Sequence, residues 1–328
     1  MNSKIAILGA GSWGTAVAVH LANCGKQVML WSHSPEHAIE MSRQRANQRY
    51  LPAISFPKGL EPTSDLAYCE AQADYIIIAT PSHAFAEILA KLEKPRHGLA
   101  WLTKGLDPAT QCLLSTLVSN RWGESFPVAV ISGPSFAKEV ANFLPTALTL
   151  AGNNKPFQKS IQNLLHHKNL RVYLSTDVIG VQLCGAVKNV LAIACGISDG
   201  LGYGANAKAA LITRGLAEMI RLGRCLGARE ESFNGLAGLG DLVLTCTDDQ
   251  SRNRRFGLHL GHGLDSITAE KQIGQVVEGK HNAAQVCALA RLHQIEMPIC
   301  EQVEALLTTQ ITPQQAVLNL MNRSAREE

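Results

Sequence analysis

The apolar positions of the chain change period near residue 177. Before it they gather in short runs bounded by turn formers. Lys4 to Leu8, Val28 to Trp31, Asp74 to Thr80, Leu99 to Thr103 and Val128 to Ser132 read as strands, and Thr146 to Ala151 and Leu170 to Leu174 as two more. The run after Asp74 is apolar without alternation, the pattern of a parallel strand covered on both faces. Helical spacing over Thr15 to Cys24, Ala84 to Leu92, Gln111 to Trp122 and Pro156 to Lys168 separates these runs. The alternation predicts a doubly wound α/β domain over residues 1–177. After Asp177 the strand pattern stops, which predicts an all-α domain over 178–328. Two domains also suit a chain of 328 residues, since single cores stop growing at about 250–300.

The second half opens on Val178 to Gly196, one helix that is apolar nearly all round. Gln182 and Asn189 make a narrow polar strip, and Lys188 is surrounded on a 3.6-residue wheel by Val181, Cys184, Gly185, Leu191, Ala192 and Cys195. A helix of this kind is buried. A buried ammonium must find a partner or lose its proton, which makes Lys188 a candidate acid/base. Taken alone, the helix is read more simply with the amine extended to water. A membrane span is disfavoured by Gln182, Lys188, Asn189 and the glycines at 180, 185 and 196.

Further on, Ser198 to Asn206 reads as a turn or hinge, and Ala207 to Leu226 as a long helix. Glycines at 235, 238 and 240 bring the backbone close to a neighbour ahead of Asp241, which either caps a helix or faces Lys188. Ser251 to Arg255 is the densest basic cluster, either a solvated turn or a phosphate site at a helix N-terminus capped by Ser251. The polar tail from Asn322 to Glu328 is expected to fray.

Candidate chemistry in the first half centres on Gly9-Ala-Gly11-Ser-Trp-Gly14 between a strand and a helix. Gly9 makes the turn, Gly11 admits a pyrophosphate, and Gly14 packs helix on strand, the arrangement that places a dinucleotide on a helix N-terminus. At the end of the second strand, where NAD-specific sites carry an acid, the chain has Ser32-His33-Ser34. Ser34-Pro35-Glu36 reads as a helix start, giving Glu36 a helix-end role. With Arg43, Arg45 and Arg49 downstream, His33 suggests room for the 2′-phosphate of NADP; the arginines read equally well as a solvated helix face. Past the other strand ends lie Thr80-Pro81-Ser82, Lys104-Gly105 and Gly133-Pro134-Ser135, which should share one cleft with the glycine loop. Lys104 would meet an anionic or carbonyl substrate, and Gly133 and Ser135 would offer close backbone and hydroxyl donors.

Composition narrows the classes. Hydrophobic residues at 46% and charged residues at 17% describe a globular chain with ample core. A net charge of +3 is too small to argue for nucleic acid or an anionic membrane. Nine cysteines, none in a C-x-x-C pair and several at apolar helical positions, predict reduced core thiols in a cytoplasmic protein, without disulfides or a zinc site. Lys4 and the run after it are too short for a signal peptide.

Six segments together, Gly9 to Gly14, Trp101 to Gly105, Gly133 to Ala137, Ala186 to Asn189, Gly238 to Asp241 and Ser251 to Arg254, closely resemble the bacterial-type NAD(P)-dependent sn-glycerol-3-phosphate dehydrogenases, in the family's order and over nearly the whole length. The resemblance implies a Rossmann-type domain followed by a helical domain, and reversible hydride transfer between NAD(P)H and dihydroxyacetone phosphate. It implies that Lys188 is the general acid/base, and that Lys104, Gly133, Ser135, Asp241, Ser251, Arg252 and Asn253 contact substrate. Ser12, Trp13, His33, Tyr50, Lys104, Ala137, Arg252, Val276 and Glu278 match cofactor positions; Tyr50, Val276 and Glu278 rest on the resemblance alone. NADP is the expected cofactor, with NAD as the alternative and no metal. A homodimer is a candidate assembly that the sequence does not fix. Two other readings use the same plan: a lysine-dependent hydroxyacid dehydrogenase with a carboxylate substrate, and a non-catalytic NADP-binding sensor. The second would not need Lys188, Asp241 and Arg252 together.

Overall fold

The computed structural model describes residues 3–324; of the tail expected to fray, residues 325–328 lie outside the described residues. Residues up to Asp107 and from Leu113 to Gln182 form one compact unit, and Pro108 to Cys112 with the residues from Leu183 onward form a second.

The first unit runs β1 (Lys4–Leu8), α1 (Ser12–Asn23), β2 (Gln27–Trp31), α2 (Pro35–Gln44), β3 (Ala46–Asn47), β4 (Leu51–Ser55), β5 (Leu60–Thr63), α3 (Leu66–Gln72), β6 (Tyr75–Ile78), α4 (Ser82–Lys91), β7 (Leu99–Trp101), α5 (Leu114–Trp122), β8 (Val128–Ser132), α6 (Ala137–Ala141), β9 (Thr146–Gly152), α7 (Lys155–Leu165) and β10 (Leu170–Ser175). Eight strands make one doubly wound sheet in the order β10-β9-β8-β7-β6-β1-β2-β5, parallel except between β8 and β9. Ile5, Ile7, Ile77, Ala100, Ala129 and Ile131 are buried in it, as unalternating apolar strands require. The chain leaves β1 for β2 on one side and enters β6 on the other, so the switch point of the sheet lies at the carboxyl end of β1.

All seven expected strands form. Three others carry little pattern: β5 is four residues long and includes Pro62, which an edge strand tolerates, and β3 and β4 make a small separate ladder. The helix expected from Gln111 starts at Leu114 because Gln111 sits at φ 59°, outside helical space. Asn154 accepts from the Phe157 amide and starts α7 at Lys155.

From residue 183 the described residues hold helices and turns but no strand: most of α8 (Val178–Gly200), then α9 (Ala205–Cys225), α10 (Glu230–Asn234), a π-helical turn over Leu236–Gly240, α11 (Asp241–Thr247), α12 (Arg252–Gly261), α13 (Ser266–Ile273), α14 (Glu278–Leu292), α15 (Pro298–Leu307) and α16 (Pro313–Met321). α8 is long and apolar enough to cross a membrane, yet every residue from Gly180 to Ser198 is buried by protein, so it is a core helix. It runs four residues past Gly196 into the segment expected to be a turn. Glycines there serve a crossing rather than a break: a Cβ on Gly196 would meet the Arg254 carbonyl at 2.0 Å, and one on Gly257 of α12 would meet the Ile193 carbonyl at 2.1 Å. Backbone-to-backbone contact of this kind is open only to glycine.

Candidate active site

In the first unit the glycine loop is built for close approach. Gly9 turns the chain at φ +131° against the backbone of Ala79, where a Cβ would lie 2.7 Å from its carbonyl. A Cβ on Gly14 would meet the Gly9 oxygen at 2.0 Å. At Gly11, by contrast, a Cβ would meet nothing within 4 Å, so the space over the start of α1 is open. No side chain caps α1 and its first turn carries no acid. An open, positive helix end beside a glycine turn fits a pyrophosphate. The Trp13 indole N-H, buried without a described partner, is a further unused donor there.

The loop is held by a residue the sequence did not single out. Buried Asn47 donates to the Ala10 carbonyl at 2.9 Å and lies 2.8 Å from the Thr15 hydroxyl, while its own oxygen meets His37 Nε2 at 3.1 Å. Ser12 donates to the Tyr50 carbonyl at 2.8 Å. A lone Asn in a two-residue strand gives no periodicity by which to find it.

After β2, His33 is exposed and Ser34 caps α2 by accepting from the His37 amide. In the first turn of α2 its own backbone amide, and then the Ser34 hydroxyl that donates to it at 2.8 Å, hold the Glu36 carboxyl below the usual range. Its helix-end role is therefore seen. Arg45 is not available for a 2′-phosphate: its guanidinium donates to the carbonyls of Leu60, Phe56 and Pro57. Arg43 is exposed on the last turn of α2, and Arg49 lies over the Tyr50 ring at 5.2 Å.

The parallel register of β1, β6, β7 and β8 aligns Leu8 with Ile78, Ile78 with Trp101, and Trp101 with Val130. The residues past these strands therefore share one edge with the glycine loop. Thr103 donates to the Thr80 carbonyl at 2.7 Å, and half-buried Lys104 follows it. Gly133 turns at φ +136°. Ser135 spends its hydroxyl hydrogen on the Gly133 carbonyl at 2.9 Å, so it offers a ligand lone pairs rather than the donor expected of it. Ala137 is half-buried at the start of α6.

In the second unit Lys188 is 6% exposed. Its Nζ donates to Asp241 Oδ1 at 2.6 Å and to Thr245 Oγ1 at 2.8 Å. Asp241 and Thr245 stand one turn apart on α11, and Thr245 donates back to the Asp241 carbonyl at 2.6 Å. The two readings of Asp241 are thereby resolved: Gly240, not Asp241, is the N-cap of α11, and the carboxylate faces the lysine. Burial that would expel the amine's proton is opposed by a carboxylate in contact with it. Thr245 was missed from sequence, although its i+4 spacing from Asp241 was legible.

The basic cluster sorts its arginines by partner. Ser251 caps α12 through the Arg254 amide at 3.1 Å. Arg254 pairs with Asp199 and Asp249 and is spent on structure. Arg252, half-buried at the first position of α12, has Gln275 Oε1 at 3.3 Å as its described side-chain acceptor, a neutral one. Asn253 is committed within the fold, donating to Asn189 Oδ1 at 2.9 Å and accepting from the Gly279 amide at 2.9 Å. Glu278 begins α14 with its Oε2 3.4 Å from the Asn189 amide nitrogen, and Val276 is 38% exposed just before it.

Among the described residues no cluster of three or more His, Cys, Asp or Glu could hold a metal, and none of the nine cysteines forms a disulfide. A dinucleotide cradle in one unit and a buried lysine–carboxylate pair in an all-α second unit define a nicotinamide-dependent oxidoreductase. The comparisons give the particular family. The N-terminal model of NAD-dependent glycerol-3-phosphate dehydrogenase matches residues 4–158, and the C-terminal model matches 177–318. The chain belongs to this family. It is 68% identical over 329 residues to glycerol-3-phosphate dehydrogenase [NAD(P)+] of Legionella pneumophila strain Paris, covering 100% of both chains. It is 50% identical over 331 residues to the enzyme of that name from Haemophilus influenzae Rd, covering 100% of this chain and 99% of the relative. The crystal structure of glycerol-3-phosphate dehydrogenase from Coxiella burnetii superposes with a TM-score of 0.95 at 52% identity, covering 98% and 99% of the two chains.

Proposed function

We propose that the chain interconverts dihydroxyacetone phosphate and sn-glycerol 3-phosphate with NAD(P)H, for glycerophospholipid synthesis in the cytoplasm. The observation that carries the reading is the Lys188–Asp241 contact of 2.6 Å inside a helix buried on all sides. It keeps a charged proton donor in a dry place, which an acid for ketone reduction requires.

The cofactor would rest on Gly9, Gly11, Ser12, Trp13 and Gly14, with His33, Tyr50, Lys104 and Ala137 beside them; Arg252, Val276 and Glu278 are cofactor positions by the family resemblance. When bound, it supplies the hydride. As negative charge grows on the ketone oxygen, Lys188 Nζ gives that oxygen a proton and is reprotonated from solvent, so reduction consumes one proton. Asp241 and Thr245 aim the amine, and Thr245 keeps it in place as its charge changes. Arg252 and the α12 amides would hold the substrate phosphate, the remote charge whose binding positions a small ketone. The family resemblance assigns substrate contacts to Lys104, Gly133 and Ser135 and likewise to Ser251 and Asn253, the last fixing α12 against Asn189.

Oxidation of NADPH or NADH followed with dihydroxyacetone phosphate tests the reaction. Turnover with the triose phosphate supports it; turnover with 3-hydroxy acids alone would overturn it in favour of the hydroxyacid reading. His33 and Arg49, with no acid free after β2, favour NADPH, so kcat/KM is expected to be higher with NADPH; a strong NADH preference refutes that choice. A homodimeric assembly is part of the proposal, and sedimentation equilibrium reads it.

A further inference from the structure

A cavity of about 600 Å³ lies in the second unit, walled by α8, α9, α15 and α16 and lined by none of the residues assigned to the reaction. Its size is that of a small-molecule site. Ala194, Ile197, Leu211, Val303 and Leu320 make its walls largely apolar.

Ser198 and Arg214 on the lining have no described partner. Ser198 is 4% exposed, and its Oγ hydrogen-bonds to no described residue. A buried hydroxyl left in this state costs free energy that a ligand oxygen would recover. Arg214, exposed on α9, pairs with no described residue either. The other charged groups on the lining are satisfied. Arg221 donates to the Glu296 carbonyl at 2.9 Å, and Arg323 pairs with the Glu296 carboxylate at 2.9 Å. Glu218 turns away to accept from the Ile299 and Cys300 amides at 2.7 and 3.3 Å, at the start of α15. Arg214 is the arginine of the lining with no described partner.

We propose that this cavity binds a long-chain carboxylate, the alkyl chain lying on the apolar walls, the head group held by the Arg214 guanidinium, and Ser198 offering a second hydrogen bond. A planar guanidinium matches a carboxylate through paired hydrogen bonds. Largely apolar walls beside a cationic side chain and a buried unpartnered hydroxyl match an amphiphile with an anionic head.

The test is calorimetric titration of the full chain with dodecanoate below its micelle threshold, with dodecanol as the uncharged control. Arg214→Gln, Ser198→Ala and the cavity-filling Ala210→Trp are the variants, each checked by circular dichroism. Sedimentation velocity accompanies the titrations. Saturable one-to-one binding of dodecanoate, weakened about tenfold in Arg214→Gln and lost in Ala210→Trp, is the expected result. No saturable binding, or equal affinity in Arg214→Gln, overturns the proposal. So does dissociation of an oligomer by Ala210→Trp, which would show the groove already filled by a second copy.

Discussion

Asp241→Asn perturbs the buried pair while leaving its shape almost unchanged. Lys188 and Asp241 meet at 2.6 Å with side chains 7% and 2% exposed, so water screens neither charge. Removing one partner of such a pair costs roughly 3–5 kcal/mol, because the other charge stays buried and uncompensated. The ammonium has an escape from that cost, since it can release its proton. The loss therefore divides between lower stability and an altered titration. Ketone reduction needs the protonated amine, so its rate falls as pH rises past the point where the amine deprotonates. Losing the carboxylate's charge therefore moves that alkaline limb to lower pH in the variant. Thr245 still lies 2.8 Å from the amine and keeps it aimed, so kcat should fall far more than the KM for the ketone rises. The assay is the pH profile of NADPH oxidation at saturating dihydroxyacetone phosphate, with urea unfolding of both proteins in parallel. An unshifted alkaline limb together with unchanged stability would refute the reasoning.

Arg252→Ala should chiefly raise the KM for dihydroxyacetone phosphate, by about tenfold or more, since a charge-assisted hydrogen bond contributes roughly 1.5–3 kcal/mol; steady-state kinetics at fixed cofactor read it, and an unchanged KM contradicts it. Burial raises the Glu218 carboxyl to about 7, against the opposing pull of the Ile299 and Cys300 amides and of Arg221. Its folded-state value thus lies above the unfolded value of 4.5, so its stabilising contribution is whole below about 4.5 and is lost as pH rises through about 7. That loss amounts to roughly 3 kcal/mol at 1.36 kcal/mol per unit. Urea unfolding of Glu218→Gln between pH 5 and 8, to about half a unit at each end, should lack this part of the wild-type slope; parallel slopes would show that Glu218 does not titrate there.

What the sequence showed of the fold follows from how strongly each element is patterned. β6 announces itself because Ile76, Ile77 and Ile78 are buried on both faces. β5 does not, because pairing with β2 at a sheet edge needs only backbone and tolerates Pro62. Glycine at 196 and 200 looked like punctuation because a helix break and a close helix crossing need the same residue; only the partner helix α12 distinguishes them. The site divides in the same way. The glycine loop, Ser251 as a cap and Lys188 in an apolar helix are local patterns and were legible. Asp241 was legible as either a cap or the partner of Lys188, and only the fold, which brings residues 53 apart into contact, decides between the two. Asn47 and the commitment of Arg45 and Arg254 to carbonyls and acids could not be read at all, because a buried amide or a satisfied guanidinium looks in sequence like any other polar residue.

The central claim, that Lys188 is the proton donor and that Asp241 holds it charged, is tested most directly by Lys188→Ala. In that variant kcat for dihydroxyacetone phosphate reduction is expected to fall by orders of magnitude while NADPH still binds with wild-type affinity by fluorescence titration. A Lys188→Ala enzyme of near-normal kcat would contradict it.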